Sequence, residues 1–181
     1  MGNNSFKAIV VNGAAGCGKT SFENFAAQYM GLSNCKIRST VDIVKEIAKF
    51  CGWNGKKDPK SRKFLSDLKD ALTDFNDLPH QDVLECLAQW KFTEAILKRY
   101  DYKHVFFIDS REPEDIQRFK NELGAITVLI RRDEAEARAA SNHADANVLN
   151  YEYDYVIDNN GTLEDLKNKV YDFLDLIFEE N

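Results

Sequence analysis

The sequence predicts an α/β three-layer sandwich, and three observations carry that prediction. Strand-sized apolar runs recur along the chain, helical periodicity fills the intervals between them, and a glycine-rich turn stands at the first change from strand to helix.

Five segments read as strands, at 6–11, 35–38, 104–108, 125–130 and 153–157. Three of them are nearly continuous apolar runs, the pattern of parallel strands covered on both faces. Cys35-Lys36-Ile37-Arg38 is weaker and reads as an edge or a short strand.

Between these segments the period becomes helical. Phe22, Phe25, Ala26 and Tyr29 share a face that Gly31 terminates. Val41, Val44, Ile47, Ala48 and Cys51 line another, ended by Gly52. Phe64, Leu65, Leu68, Leu72 and Phe75 make a stripe that stops before Pro79, and Val83, Leu84, Leu87, Ile96, Leu97 and Tyr100 mark a longer helix. Pro113 suits the first turn of a helix carrying Ile116, Phe119 and Leu123 and closed by Gly124. Thr162 and Asp165 read as a capping box ahead of Leu163, Leu166, Val170, Phe173 and Ile177.

A chain of 181 residues suits one domain, 1–181, with inserted lobes. Three helical patterns without a strand between them predict a helical insertion at about 41–100, and an arginine-led segment at about 131–150 predicts a short lid.

Apolar residues make up 44% and charged residues 30%, the balance of an ordinary globular protein. A net charge of −6 argues against a nucleic-acid partner held by a basic face. Cys17, Cys35, Cys51 and Cys86 form no C-x-x-C pair, so reduced thiols are expected rather than zinc or redox chemistry. The longest apolar runs are strand-sized, no signal peptide is evident, and Phe6 stands where a myristoylation signal wants Ser or Thr. The expectation is a soluble, unanchored, cytoplasmic protein with no membrane partner, its oligomeric state left open.

Gly13-Ala14-Ala15-Gly16-Cys17-Gly18-Lys19-Thr20 matches G-x-x-x-x-G-K-[ST] in full, between an apolar strand and a helix. Glycines let the backbone wrap so that its N–H groups point at phosphate oxygens, and the helix N-terminus adds partial positive charge. The expected ligands are ATP and Mg²⁺, with Lys19 on the β- and γ-phosphates and Thr20 on the metal. Cys17 occupies a variable position and reads as a bystander thiol rather than a redox switch.

Asp109 ends the third strand, where it could hold Mg²⁺ or orient an acceptor, and Arg111 follows it into the same crevice. The competing reading makes Asp109 a cap for the helix near Pro113. Arg131, Arg132 and Arg138 open the lid segment, where a guanidinium can neutralise a phosphoryl group in transit. For Arg138 a solvated helix face with Glu134 and Glu136 is the rival.

The second half resembles the phage-type deoxynucleoside monophosphate kinases, within the wider P-loop nucleoside monophosphate kinase group. Asp109-Ser110-Arg111-Glu112-Pro113-Glu114 is similar to that family's D-x-R-x-P-[NE]-E segment. Leu123-Gly124-Ala125, the strand ending in Arg131-Arg132, Asn142-His143-Ala144-Asp145 and the stretch from Tyr153 to Leu166 are similar to the elements that follow. The resemblance implies a five-stranded parallel sheet in the order 2-3-1-4-5, a helical acceptor lobe, an Arg-bearing lid and transfer of the γ-phosphoryl group of ATP to a (deoxy)nucleoside monophosphate. By position it implies acceptor contacts from Lys45, Arg62 and Arg111, beside the catalytic set of Lys19, Asp109, Arg111 and Arg132 and the nucleotide contact of Arg138 read from the residues themselves. Glu112 stands where the family carries an aromatic residue, which leaves the acceptor base open.

Other readings remain at this level. The same loop serves kinases of other small acceptors, such as dephospho-coenzyme A, or a regulator that has lost catalysis. Asp158-Asn159-Asn160-Gly161 matches the D-x-x-G of GTP switches, but no N-K-x-D follows, and it reads better as a turn. Trp53 and Phe50 could stack on a base, although apolar residues near a helix end more often join a core.

Overall fold

Strand β1 (Phe6–Asn12) shows how the sheet is covered: Ile9 and Val11 enter one core, Ala8 and Val10 the other. That division is the direct result of side chains alternating along a strand. The computed structural model describes residues 6–99, 102–139 and 148–179.

The remaining strands are β2 (Cys35–Ser39), β3 (His104–Asp109), β4 (Ile126–Arg131) and β5 (Tyr155–Asp158). All pairings are parallel, and the five strands lie in the order β2-β3-β1-β4-β5. This is the three-layer arrangement and strand order expected. β1 and β3 are buried almost throughout, whereas β2 and β5 hold the edges with mixed exposure.

Helix α1 (Lys19–Met30) follows the glycine-rich turn and covers one face together with the last helix, α7 (Leu163–Glu179). Phe22 is the pin of this layer: its ring lies 5.8 Å from that of Phe107 and 5.9 Å from that of Phe173. A wholly buried aromatic of this kind contributes about 1.5–3 kcal/mol through burial alone, so the first turn of α1 sits on a rigid base.

Three helices, α2 (Asp42–Phe50), α3 (Pro59–Asn76) and α4 (Leu78–Ile96), separate β2 from β3. α4 covers the second face through Val83 and Leu87, beside Ile116 and Phe119 of α5 (Pro113–Leu123). α4 starts at Leu78, earlier than its apolar pattern suggests, because Pro79 is accommodated in a first turn whose N–H groups need no partner; Tyr100 lies outside the described residues. α3 buries no residue completely. Phe75 and Phe50, placed by the sequence on a stripe and near a core, are 84% and 92% exposed. Each is the last or next-to-last residue of its helix, where the backbone has passed beyond the surface it packs on.

β5 begins two residues later than its apolar run because Asp154 replaces the ladder there. Its carboxylate accepts from the Thr127 amide at 2.9 Å and the Thr127 hydroxyl at 2.8 Å. The expected capping box is present: the Thr162 amide donates to Asp165 at 2.8 Å and the Asp165 amide to the Thr162 hydroxyl at 3.2 Å. Short helix α6 (Asp133–Ala139) leads from β4 toward the segment containing His143 and Asp145, which lies outside the described residues. Among the described residues, no helix is long and apolar enough to cross a membrane.

Candidate active site

The turn after β1 is pinned at its start by the side chain of Asn12. The Gly13 amide donates to the Asn12 side chain at 2.7 Å, and Asn12 in turn donates to the Tyr153 hydroxyl at 2.8 Å. Gly13, Gly16 and Gly18 all have positive φ, at 147°, 83° and 110°. Gly13 also has no space for a side chain, since a Cβ would collide with the Ile130 carbonyl and the Cys17 sulfur.

α1 opens on Gly18 with no side chain capping it and no acid in its first turn. Its leading amides therefore face outward without an internal acceptor, the condition that suits an anion. Lys19 bends back over the loop, its Nζ donating to the Gly13 carbonyl at 2.6 Å and the Ala14 carbonyl at 3.3 Å. The ammonium is thus held at the mouth of the turn.

A cleft of about 610 Å³ opens above this loop, within the range of about 300–1,000 Å³ common for small-molecule sites. Ala15, Gly16, Gly18, Lys19 and Thr20 form its floor; Lys57, Arg111 and Arg132 bring three further cations; Asn159, Gly161 and Leu163 close another side. Arg138 Nη2 would lie 3.6 Å from a side chain added at Gly16, while its Nε donates to the Glu134 carbonyl at 3.0 Å. Ala14 and Cys17 are loop residues that turn inward, 3% and 0% exposed. Burial pushes the Cys17 thiol up against the opposing pull of Lys19.

Asp109 closes β3 in register with Val11 and Ser39. It does not cap α5, whose N-cap is Glu112 without a side-chain bond. Its carboxyl is instead half-buried, with one oxygen fully enclosed, its pKa raised by desolvation and drawn down by Lys19. Beside it stands Glu23 of α1, 4% exposed, its pKa also raised, first by burial and then by the charge of Asp109. The two carboxyls hydrogen-bond to each other, while Glu23 Oε1 and Asp109 Oδ1 are buried and receive no other donor.

These groups fit a hard divalent cation. Thr20 supplies an oxygen donor on the cleft, and Asp109 and Glu23, each within electrostatic range of Lys19, carry buried carboxyl oxygens that no donor reaches. Among the described residues no three His, Cys, Asp or Glu side chains converge into a complete cage. Mg²⁺ needs none, because it takes one or two carboxylates and completes its shell with phosphate and water.

Of the sequence candidates, Lys19, Thr20, Arg111 and Arg132 meet on the cleft, whereas Asp109 does not line it and acts on it through the charge of Lys19 and Arg111. Lys45 and Arg62 do not line it: Lys45 pairs with Asp42 at 3.2 Å, and Arg62 Nε donates to the Lys57 carbonyl at 3.0 Å. Trp53 and Phe50 are likewise absent from its walls; the Trp53 indole N–H donates to the Lys56 carbonyl at 3.0 Å. Sequence reasoning missed Lys57, Glu23 and Asn159. Lys57 lies in a polar run that resembles any solvated loop, and Asn159 sits in a turn whose composition explains itself. For Glu23 a usable cue existed, a carboxylate one helical turn after Lys19 in the stripe that carries Phe22 and Ala26.

No family model matches this chain, and no curated protein does. Among solved structures, an unliganded sugar kinase from Janibacter is 15% identical, with 94% of this chain and 95% of that one covered and a TM-score of 0.47. A dephospho-CoA kinase from Campylobacter jejuni is 20% identical, with 96% and 98% covered and a TM-score of 0.43. A shikimate kinase from Aquifex aeolicus is 12% identical, with 96% and 99% covered and a TM-score of 0.45. Likenesses at this level carry no argument about activity, and the fold rests on the strand order itself.

Proposed function

We propose that this chain is a P-loop kinase that transfers the γ-phosphoryl group of ATP to a (deoxy)nucleoside monophosphate, giving the diphosphate. The observation that carries the reading is the meeting of Lys19, Lys57, Arg111 and Arg132 around one cleft over an uncapped helix N-terminus. Four cations from four separate parts of the chain surround space for more than one phosphate group.

In this reading the loop amides and Lys19 hold the β- and γ-phosphates. Arg111, at the end of β3, and Lys57, from the helical segment, hold the anionic end of the acceptor. An acceptor phosphate oxygen forms the new bond to the γ-phosphorus as the bond to the bridging oxygen breaks, and ADP departs with that electron pair. Arg132 stabilises the charge spread over the phosphoryl oxygens, a contribution that reaches about 10³–10⁵ in rate where an arginine finger acts. Mg²⁺, when bound, would be held by Thr20 and Asp109 and would supply charge neutralisation on the phosphates.

The acceptor side is the part to test. Arg111→Ala should raise the KM for the monophosphate far more than the KM for ATP. Equal effects on both substrates, or none on the acceptor, would remove Arg111 from the acceptor site.

A further inference from the structure

Glu23 has no place in the reading above, yet it is only 4% exposed and lies against Asp109. Thr20 and Glu23 are three residues apart on α1 and therefore share a helix face. Side chains on a helix lean toward its N-terminus, so the Glu23 carboxyl is directed back under Thr20. There it meets Asp109, arriving from the end of β3.

Two buried carboxyls meet here and hydrogen-bond to each other. Glu23 and Asp109 face each other, and Asp42, at the start of α2, adds a third acid within electrostatic range of both. Lys19 and Arg111 are the cations acting on Asp109, and Lys19 acts on Glu23 as well. Lys19 is already engaged by the Gly13 and Ala14 carbonyls, and Lys45 serves Asp42 at 3.2 Å. Burying a carboxyl with an oxygen that no donor reaches is costly unless a ligand repays it, and here two such oxygens occur side by side.

We propose that Glu23 belongs to the divalent-cation site, acting with Asp109 as a pair of carboxylates that holds the cation, or its bound water, beneath the phosphates. The inference rests on the kinase reading of the same cleft and adds to it a residue from the helix side. Without the cation the two carboxyls hydrogen-bond to each other; with it, both orphaned oxygens gain a partner.

The test is the affinity of Mn²⁺, followed by electron paramagnetic resonance, for the full chain with a non-hydrolysable ATP analogue. Glu23→Gln should weaken Mn²⁺ by about 10–100-fold, the usual effect of losing a group that supports a metal site. Binding of the metal-free analogue, measured by calorimetry, should stay unchanged. Thermal unfolding in metal-free buffer should find the variant about as stable as the parent chain, since the Gln amide can keep the hydrogen bond to Asp109 that Glu23 makes. Unaltered Mn²⁺ affinity overturns the proposal, as does an equal loss of metal-free nucleotide binding or a variant that fails to fold without metal, since either would make the carboxylate structural. A parent chain that binds no analogue would overturn the kinase reading itself, and this inference with it.

Discussion

The side chain of Asn159 donates to the Cys17 carbonyl at 2.7 Å, joining the turn after β5 to the phosphate loop across 142 positions of sequence. Asn159 is 7% exposed, and it leaves no room for a side chain at Gly18. The loop is therefore shaped from outside as well as by its glycines.

Removing that contact should loosen the loop while leaving the sheet intact. Asn159→Ala leaves a buried carbonyl without its donor, at a cost of about 1–3 kcal/mol. Thermal unfolding should show the loss, and ATP affinity should fall with it. A variant with parental stability and parental ATP binding would show that the glycines alone shape the loop.

Lys57 should matter more to the acceptor than Lys45 or Arg62. A charged hydrogen bond to an acceptor anion is worth about 1.5–3 kcal/mol, or about tenfold to a hundredfold in KM. Steady-state kinetics should show that rise for Lys57→Ala, with a smaller change for Lys45→Ala. Arg62→Ala should have an intermediate effect, because Arg62 holds the backbone carbonyl of Lys57. Equal effects from all three substitutions would mean that the helical segment closes differently on its substrate.

Cys17 should be chemically quiet despite lying in the loop. Burial raises its thiol pKa more than Lys19 lowers it, so little thiolate is present near neutral pH. Iodoacetamide applied to the native protein should modify exposed Cys51 and spare Cys17, as read by peptide mass spectrometry. Rapid labelling of native Cys17 would contradict its inward orientation.

Asp77 joins α3 to α4 in the left-handed region, φ 57°, and its carboxylate receives hydrogen bonds from Arg118 that hold its pKa below the usual range. A depressed carboxylate stabilises the fold above its unfolded value of about 3.9 and ceases to do so as pH falls through the folded value. Asn tolerates the same backbone, so Asp77→Asn isolates the charge. Because both partners are partly exposed, the loss at neutral pH should be about 1 kcal/mol or less. Parent and variant should converge in thermal unfolding as the solution becomes strongly acidic; a gap that persists would assign the loss to geometry instead.

What the sequence revealed depends on where each signal came from. β1, β3 and β4 were legible because strands covered on both faces must be apolar throughout, and the phosphate loop because its backbone path demands glycines at fixed spacing. Lys19, Thr20, Arg111 and Arg132 could be located because they flank those elements directly. Phe50 and Phe75 misled because periodicity identifies a stripe without showing where the neighbouring surface ends. Lys57 and Asn159 are brought to the cleft, and Glu23 to Asp109, by tertiary packing: a loop folding over, a turn side chain buried against a distant carbonyl and a helix face turned inward. Local pattern does not contain those relationships.

Phosphoryl transfer itself is the most direct test. The purified chain with γ-labelled ATP and Mg²⁺, offered each common ribo- and deoxyribonucleoside monophosphate in turn, should form ADP and a labelled nucleoside diphosphate from at least one of them. Lys19→Ala, still folded by circular dichroism, should form none. A folded parent chain that binds ATP and labels no monophosphate, or a Lys19→Ala variant with full activity, would contradict the account.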